Sequence, residues 1–546
     1  MLVIRGKSVF AGIAIGPLAL FHRQSASAAQ RPAAGIEAEL QRFRQARQTA
    51  VAQLQALYER AVEKVGEDEA AVFEVHQMML ADDDYLETVE TLIGSGNMSA
   101  EDAVERTAQQ FAQMFRAMDD TYMQARAADV IDISRRVEAA LCGCQDTDLS
   151  AYDGVIIGAD DLGPSETLQL DTDKILGFVT SGGSTNSHTA ILARTLGIAA
   201  VVGTDTPFHD DVEGLTVIID GYTGTVYLDP DPEMLAAMER KAETAAAHQA
   251  ALERLRGLPT QTKDGKRIDL YANIGNTGDL AQVAEHDAEG IGLFRSEFLY
   301  LENTTYPTEE QQFAAYKKTA QALAGKRVVI RTLDIGADKK VDYFNLETEE
   351  NPAMGMRAIR ICLSRPDLFR IQLRALCRAS AFGKVAVMFP MIISLDEIRR
   401  SKAMLRDVQE ELTAQGIAYD KEMEVGIMIE TPAAAIISDE LAKEVDFFSI
   451  GSNDLTQYTL AIDRQQTRLD DFFDAHHPAI LRLIEMTVRN GHAAGIWVGI
   501  CGELGADLSL TETFLRMGID ELSVSPAAIL PVREKVRSLD LRDVDV

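Results

Sequence analysis

His188 is the first residue in the chain whose surroundings suggest chemistry. It lies in SGGSTNSHTAILARTLGIAAVVG, residues 181–203, where small polar residues give way to an apolar pattern at helical spacing. This pattern predicts that the imidazole lies in the first turn of a helix, where free amides and the positive end of the dipole favour a phosphate. We therefore predict that His188 is a nucleophile that accepts a phosphoryl group. Taken alone, the stretch fits a histidine held by Ser184 or Asn186 equally well.

A second set of polar side chains follows short apolar runs in the C-terminal half. These residues are Asn273, Arg295, Arg331, Asp334, Arg357, Met391, Glu430, Asn453, Asp454, Cys501 and Glu503. Guanidinium groups match phosphate and carboxylate oxygens, so several arginines in one place predict a small substrate that carries both groups. Glu430 and Asp454 are suitable Mg²⁺ ligands, because this ion prefers oxygen donors. They could instead pair with arginines, but the substrate class favours the metal.

Cys501 follows the apolar run IWVGI and precedes Gly502 and Glu503. A single buried cysteine usually acts as a small apolar residue. Its position after a strand also allows an acid–base role, because the surroundings of a thiol readily shift its pKa.

Composition limits the classes of partner. The chain has 546 residues, of which 53 are basic and 85 acidic, for a net charge of −32. This charge argues against nucleic acid or an anionic membrane as the main partner. No apolar stretch reaches membrane-spanning length, and no basic leader opens the chain. Five scattered cysteines indicate a reducing cytoplasm.

The pattern of apolar residues predicts several domains of α/β class. Short strands in residues 1–20 and 145–230 predict one α/β domain. Between them, residues 21–144 contain few glycines and prolines and predict a helical insert. An Ala-rich polar segment, residues 231–258, predicts a linker helix.

Strands and helices then alternate through residues 259–546, which predicts a (β/α)₈ TIM barrel. The candidate strands are RIDLYANI, GIGLFR, RVVIRTLDI, a segment near GMRAIRI, VAVMFPMI, EVGIMIE, DFFSIG and IWVGIC. A doubly wound sheet is the alternative, but it would more often bring a Gly-rich dinucleotide turn, and none is found. Barrel active sites lie at the C-terminal ends of the strands, where the polar set above would meet.

These residues also carry a family resemblance over nearly the whole chain. The most specific stretches are NSHTAILARTLGIAAVVGT and VDFFSIGSNDLTQYTLAIDR, supported by EGIGLFRSEFLY, RTLDIGADK, ENPAMGMRAIRI and CGELGAD. The chain resembles the Enzyme I family of phosphoenolpyruvate–protein phosphotransferases, which begin sugar uptake by the phosphotransferase system. The resemblance implies a swivelling phosphohistidine α/β domain with a helical-bundle insert, followed by a phosphoenolpyruvate-binding barrel that dimerises.

The resemblance also implies roles for individual residues. His188 would take the phosphoryl group of phosphoenolpyruvate, and Cys501 would protonate the enolate to give pyruvate. Thr167 would orient the histidine ring. The substrate-binding residues would be Arg295, Arg331, Arg357, Asn453 and Arg464, with Mg²⁺ on Glu430 and Asp454.

A carrier protein, HPr, would then receive the phosphoryl group from His188. The resemblance places its dock on the helical insert, at Phe73, His76, Met78, Met79, Asp82 and Arg126. From the residues alone, core packing is an even alternative for the two methionines. Because one histidine must meet both the barrel and the carrier, the α/β domain is expected to swing.

Two alternatives have distinct sequence consequences. A pyruvate phosphate dikinase or phosphoenolpyruvate synthase relative would share the histidine and the barrel but needs a large ATP-binding domain, for which no stretch is spare. A silent regulator that binds phosphoenolpyruvate and carriers would not need His188, Cys501 and the carboxylates together.

Overall fold

A computed structural model describes most of the chain. The described residues are 1–21, 35–65, 67–96, 98–117, 121–143, 152–170, 174–183, 190, 193–194, 197–206, 208–301, 303–336, 341–463, 469 and 472–542. They divide into two compact units, Met1–His248 and Gln249–Val546. Within the described ranges, no helix combines the length and the apolar character needed to cross a bilayer.

The predicted helical insert is confirmed by five helices in the first unit. They are α1 (Ile36–Val65), α2 (Glu67–Met79), α3 (Asp83–Gly96), α4 (Ala100–Arg116) and α5 (Thr121–Cys142). Their apolar faces meet in one core that contains Phe43, Leu54, Phe73 and Val104. Ser99 begins α4 by accepting a hydrogen bond from the amide of Asp102 at 3.1 Å, which satisfies a free amide of the first turn.

An eight-stranded sheet forms the rest of this unit. Its strands are β1 (Leu2–Arg5), β2 (Lys7–Phe10), β3 (Ile13–Leu20), β4 (Val155–Ala159), β5 (Ile175–Thr180), β6 (Ala199–Val202), β7 (Thr216–Asp220) and β8 (Thr225–Leu228), in the order β1-β8-β7-β3-β4-β5-β6-β2. β3 pairs in parallel with β4 and antiparallel with β7. The segments before and after the helical insert therefore form one sheet, and the short helix α6 (Pro164–Gln169) follows β4.

A single helix, α7 (Pro232–Glu253), follows this sheet, within the segment predicted as a linker helix. The residues after it are held to the barrel by Arg533, whose side chain is fully buried. Arg533 Nη1 donates to Leu255 O at 3.3 Å and to Asp287 Oδ2 at 2.6 Å, and Nε donates to Thr260 Oγ1 at 3.1 Å. The backbone at residues 255–260 is thus fixed by one buried guanidinium.

The second unit is a closed barrel of eight parallel strands, which confirms the predicted TIM barrel. The strands are β9 (Asp269–Ile274), β10 (Ile291–Arg295), β11 (Val328–Arg331), β12 (Val385–Phe389), β13 (Val425–Ile429), β14 (Phe447–Ile450), β15 (Trp497–Ile500) and β16 (Glu521–Val524). Alternate residues fill the barrel interior, among them Leu293, Val329, Met388, Phe447 and Cys501. The outward-facing residues pack against the surrounding helices in the main core.

The helices of this unit alternate with the strands. They are α8 (Leu280–Glu285), α9 (Phe298–Leu301), α10 (Glu309–Ala322), α11 (Ile359–Ser364), α12 (Pro366–Ser380), α13 (Leu395–Ala414), α14 (Pro432–Ile436), α15 (Ser438–Leu441), α16 (Ser452–Leu460), α17 (Pro478–Ala494), α18 (Thr511–Met517) and α19 (Ile529–Ser538). Capping boxes start α10 at Thr308 and α13 at Ser394, which satisfies free amides at their N-termini.

One of the eight predicted strands is wrong, and one real strand was missed. The segment near GMRAIRI is not a strand, because Ile359–Ser364 is the helix α11. The eighth strand is instead ELSV, β16, which pairs with β15 and with β9 and so closes the barrel. Cys501 therefore follows the seventh strand rather than the last, and Asn453 and Asp454 follow the sixth rather than the seventh.

Candidate functional site at the barrel mouth

A cavity of about 930 Å³ opens at the C-terminal ends of the barrel strands. Its walls include seven residues that were predicted as site residues: Arg295, Arg331, Arg357, Glu430, Asn453, Asp454 and Cys501. These residues come from separate strand ends and loops, which is how a parallel barrel assembles a site. The structure thus brings together the described members of the predicted substrate and metal sets.

Arg331, the last residue of β11, lies in a network of carboxylates. Its Nη2 donates to Glu297 Oε1 at 2.5 Å, and its Nη1 lies 2.9 Å from Asp334 Oδ2. Burial lowers the pKa of Arg331, but the charges of Asp334 and Glu297 outweigh this effect and raise it above its ordinary value. The guanidinium therefore stays charged and fixed in place beside the cavity.

Arg357 reaches the same cavity from a loop. It lies between β11 and α11 rather than at the predicted strand end, but its side chain still lines the cavity. Its Nη2 donates to Asp334 Oδ1 at 2.8 Å, and its Nη1 donates to Tyr458 Oη at 3.2 Å. Asp334 thereby holds Arg331 and Arg357 side by side.

Glu430 and Asp454 face this pair of arginines. Glu430 follows β13 and is buried, and its Oε1 accepts a hydrogen bond from the amide of Met391 at 2.5 Å. Asp454 lies in the first turn of α16, with Oδ2 3.9 Å from Arg357 Nη2. Burial, followed by the charges of Asp334 and Asp454, raises the pKa of Glu430. The site thus concentrates negative charge beside its arginines.

Backbone at the mouth takes unfavourable conformations at three residues that carry a Cβ. Ala358, Met391 and Ala461 have φ angles of 52°, 56° and 56°. Each adjoins the site: Ala358 follows Arg357, Met391 donates its amide to Glu430, and Ala461 lines the cavity. Such conformations persist only where the surrounding structure imposes them.

Cys501 directly follows β15 and is buried in the barrel interior at the floor of the cavity. Its Sγ donates to Ile450 O at 3.6 Å. Burial raises the pKa of the thiol to about 12, although Ser449 lowers it. The thiol is therefore protonated at neutral pH, as a proton donor must be before it reacts.

Asn453 and Arg295 lie on the rim. Asn453 Nδ2 donates to Glu503 Oε1 at 3.2 Å, and Asn453 Oδ1 accepts from the amide of Glu503 at 3.0 Å.

Arg295 ends β10 and is exposed to solvent. Within the described ranges it forms no ion pair, so its charge is available to an anion in the cavity. The side-chain amide of Asn273 is already hydrogen-bonded below the rim, because its Nδ2 donates to the carbonyls of Cys501 and Ser523 at 2.9 and 3.0 Å.

Two predicted site residues, His188 and Arg464, lie outside the described residues. Thr167, predicted to orient His188, lies in α6 and is buried. Its Oγ1 donates to Gly163 O at 3.0 Å. Its relation to the histidine stays a prediction.

The predicted carrier dock divides into buried and exposed residues. Phe73 and His76 are fully buried, and His76 lies between Asp129 and Asp132 at 3.4 and 3.7 Å. Met78 has 63% of its surface exposed and Met79 is half-buried. Asp82 is exposed, and its Oδ1 accepts hydrogen bonds from the amides that begin α3. Arg126 Nη1 donates to Asp129 Oδ2 at 3.1 Å. An exposed surface is thus present at Met78 and Asp82, whereas Phe73 and His76 lie in the interior of the helical insert.

Two residues of the mouth were not selected from the sequence. Glu297 binds Arg331, and Tyr458 joins Arg357 to the carbonyl of Ala353. Glu297 lies two residues after Arg295, in the stretch EGIGLFRSEFLY, so its position offered a signal. Tyr458 lies within α16, where it resembles an ordinary apolar helix residue.

The state of the Cys501 thiol gives a direct prediction. Iodoacetamide at pH 7.5 should modify exposed Cys142 and spare Cys501, which is buried and has its pKa raised to about 12. At that pH only about one thiol in 10⁴ or fewer is ionised, and the thiolate is the reactive form. Peptide mass spectrometry of the native and the denatured protein provides the measurement. Equal modification of both cysteines in the native protein would contradict the buried, protonated thiol.

Comparison with known proteins agrees with this geometry. Three family models match the chain: "PEP-utilising enzyme, PEP-binding domain" at residues 249–541, "PEP-utilising enzyme, N-terminal" at 5–126, and "PEP-utilising enzyme, mobile domain" at 151–224. The first covers more than half of the chain and contains the barrel.

Curated relatives match over almost the full length. The chain is 44% identical to the phosphoenolpyruvate-protein phosphotransferase of Bacillus sp. (strain S) over 537 residues, which cover 98% of this chain and 93% of the relative. The values for the enzyme of the same name in Geobacillus stearothermophilus are the same. For that of Bacillus subtilis (strain 168) the identity is 41% over 543 residues, which cover 99% and 95%. The chain therefore belongs to the PEP-utilising enzymes, in the family of the phosphoenolpyruvate-protein phosphotransferases.

Proposed function

We propose that this protein transfers the phosphoryl group of phosphoenolpyruvate to its own His188 and then to a histidine of the carrier HPr, and releases pyruvate. The observation that carries the proposal is the single cavity where Arg295, Arg331 and Arg357 meet Glu430, Asp454 and Cys501. The arginines match a substrate with phosphate and carboxylate groups. The carboxylates suit a cation, and the protonated thiol suits an enolate.

The carboxylates fit Mg²⁺. Burial and neighbouring negative charge raise the pKa of Glu430. A divalent cation held by Glu430 and Asp454 would lower this pKa again, because positive charge stabilises the carboxylates. Within the described residues no cluster of three acidic, histidine or cysteine side chains forms a metal site. Two carboxylates suffice, because Mg²⁺ in phosphate-binding sites takes its remaining ligands from phosphate and water. When bound, the ion would neutralise charge on the transferring phosphoryl group.

The residues of the chain divide the reaction between them. A ring nitrogen of His188 attacks phosphorus, the bond from phosphorus to the enol oxygen breaks, and the enolate of pyruvate remains. Arg331 and Arg357 stabilise negative charge that develops at the oxygens. The electron pair of the enolate carbon–carbon double bond then takes the proton of Cys501 and forms a C–H bond, while an oxygen lone pair forms the carbonyl. The products are pyruvate and a thiolate.

In this proposal, the protein that accepts the phosphoryl group from His188 is the carrier HPr, which docks on the helical insert. Met78 and Asp82 offer an exposed apolar residue beside an acidic one, which suits a basic partner with an apolar centre. Buried Phe73 and His76 would hold in place the helix that carries Met78. The proposal also includes a swinging α/β domain, a barrel-mediated homodimer and work in the cytoplasm.

The proposal predicts a phosphohistidine. With ³²P-labelled phosphoenolpyruvate and Mg²⁺, the protein should gain a label that is labile in acid and stable in base. His188→Ala should remove at least 99% of the label. His209→Ala is the matched control in the same sheet domain and should retain it. Tryptic mapping provides the measurement.

The opposite result has a clear meaning. Normal binding of phosphoenolpyruvate by calorimetry without any label in the wild-type protein would overturn the proposed transfer and indicate a regulator instead. Label retained in His188→Ala would place the acceptor elsewhere.

A further inference from the structure

A buried carboxyl occupies the barrel interior below the proposed proton donor. Glu521, the first residue of β16, has 1% of its surface exposed. A Cβ placed on Gly499 would lie 1.8 Å from its Oε2, and one placed on Gly292 would lie 2.4 Å from its Oε1. The carboxyl thus fills the space that two glycines, one on β15 and one on β10, leave empty. Among the described residues, Oε1 has no hydrogen-bond partner.

Strand pairing places this carboxyl one level below Cys501. Ser449 of β14 pairs with Gly499 of β15, and Gly499 pairs with Glu521 of β16. Neighbouring strands lie about 4.8 Å apart, so Oε2 above Gly499 lies about one strand spacing from the backbone of Ser449. Cys501 is two residues after Gly499, so its side chain points to the same face about 7 Å further along the strand.

Ser449 lies beside Gly499 on β14, at the level of Glu521 and one level below Cys501. Its hydroxyl is buried and has no well-formed hydrogen bond to any described residue. It nevertheless lowers the pKa of Cys501, while the charge of Glu521 raises it, so both groups act on the thiol. A hydroxyl can accept a proton on one side and donate one on the other.

The surroundings of Glu521 favour its protonated form. Burial and the charge of Asp269 on β9 raise its pKa well above the ordinary value. Asp520 acts in the same direction, whereas Arg327 before β11 and the hydroxyl of Ser523 oppose them. Tyr271 also faces this group from β9. The interior therefore holds a carboxyl whose surroundings favour the protonated form. It lies beneath a residue that must recover a proton after every turnover.

We propose that Glu521 returns the proton to Cys501 through the hydroxyl of Ser449. After Cys501 has protonated the enolate, its sulfur is a thiolate. The Ser449 O–H bond breaks as the S–H bond forms, and the Glu521 O–H bond breaks as the Ser449 hydroxyl reforms. A carboxylate remains at Glu521. Glu521 does not touch the substrate and acts on the reaction only through Cys501. The inference rests on the proposed function, because it requires Cys501 to be the proton donor.

The opposite end of the barrel offers a route for the next proton. Tyr271 Oη donates to Asp269 Oδ2 at 2.9 Å, and the Asp269 side chain is 41% exposed. Arg327 Nη1 donates to Tyr271 Oη at 3.3 Å, so positive charge lies near the transient carboxylate. Water at the N-terminal end of the barrel can therefore reprotonate Glu521 while substrate or product fills the mouth.

Quench-flow kinetics of pyruvate formation with Glu521→Gln test the proposal. Glutamine keeps the shape and the neutral state of the protonated carboxyl, so the variant is expected to unfold at the wild-type temperature or higher. The first turnover uses the proton already on Cys501 and should keep its wild-type rate. Later turnovers, with excess HPr as acceptor, should slow at least tenfold. They should slow further as pH rises, because the proton then comes from solvent.

Matched variants separate the route from the fold. Ser449→Ala should reproduce the slow later turnovers, whereas Glu424→Gln, which removes a partner of Arg327 outside the barrel interior, should behave as wild type. A decrease of less than tenfold in Glu521→Gln, or an equal loss in its first turnover, would overturn the role of Glu521. Normal later turnovers in Ser449→Ala would overturn the route through Ser449. Absence of labelled His188 in the wild-type protein would instead refute the proposed function.

Discussion

Replacement of Cys501 by alanine should slow the formation of pyruvate from phosphoenolpyruvate by about 10²- to 10⁴-fold, the usual contribution of a positioned general acid. The reason is that Cys501 is the described side chain at the floor of the cavity whose protonated state suits donation to a carbon atom. Binding of phosphoenolpyruvate should change little, because the arginines that hold its charged groups are untouched. Rapid-quench assays of pyruvate and calorimetry of binding measure the two effects.

Two controls isolate the role of the thiol. Cys377→Ala removes another buried thiol of the barrel, on α12 and away from the cavity, and should keep the wild-type rate. Transfer from phosphorylated His188 to HPr should also be normal in Cys501→Ala, because no enolate takes part. A pyruvate-forming rate within tenfold of wild type in Cys501→Ala would exclude Cys501 as the acid.

Replacement of Arg331 by methionine should lower the free energy of unfolding of the barrel by about 3–5 kcal/mol, because it leaves buried carboxylates without their cation. Those carboxylates are Glu297 and Asp334, at 2.5 and 2.9 Å from the guanidinium. Phosphoenolpyruvate binding should be lost as well. The sequence has one tryptophan, Trp497, and it lies in the barrel strand β15, so its fluorescence during urea unfolding reports on this unit alone.

The matched control is Arg374→Met. Arg374 also binds two carboxylates, Glu309 at 2.8 Å and Glu411 at 3.4 Å, but these partners lie toward solvent. Its removal should cost only about 0–1 kcal/mol, as surface ion pairs usually do. Equal losses of unfolding free energy in the two variants would show that the burial of the Arg331 network does not make the loss of its cation more costly.

The effect of pH on Arg331→Met has a definite sign. Without the cation, the buried carboxyls should have a higher pKa in the folded state than in the unfolded state. The folded protein then binds more protons than the unfolded protein, so stability rises as pH falls. The deficit of the variant should therefore shrink between pH 8 and pH 5.

The barrel could be predicted from the sequence because its strands are mostly uninterrupted apolar runs, as in IWVGI and VAVMF. β16 was missed because its four residues, ELSV, include Glu521 and Ser523, which point into the interior rather than toward the apolar core. The segment near GMRAIRI was taken for a strand because Ile359 and Ile361 alternate with other residues. In the short helix α11 these two isoleucines lie on different faces, and both are buried because the helix is enclosed on more than one side.

The candidate site was easier to predict than its supports. The arginines and carboxylates are of types that the chemistry requires, and they follow recognisable strands. Asp334 binds two arginines at once, and Tyr458 joins a loop to a helix. Such contacts depend on the paths of loops, which the local sequence does not determine. The carrier dock shows the same limit, because helical spacing alone did not reveal that Phe73 and His76 are buried while Met78 is exposed.

The strained backbone at the mouth has a consequence for attempts to make this protein more heat-stable. Ala358, Met391 and Ala461 each hold a conformation that costs roughly 1–3 kcal/mol for a residue with a side chain and that glycine adopts freely. Glycine at these positions would relieve the strain. It would also free the backbone that aims Arg357 and that binds Glu430. Selection for thermal resistance would therefore favour glycine at the positions where a freer backbone most damages the reaction.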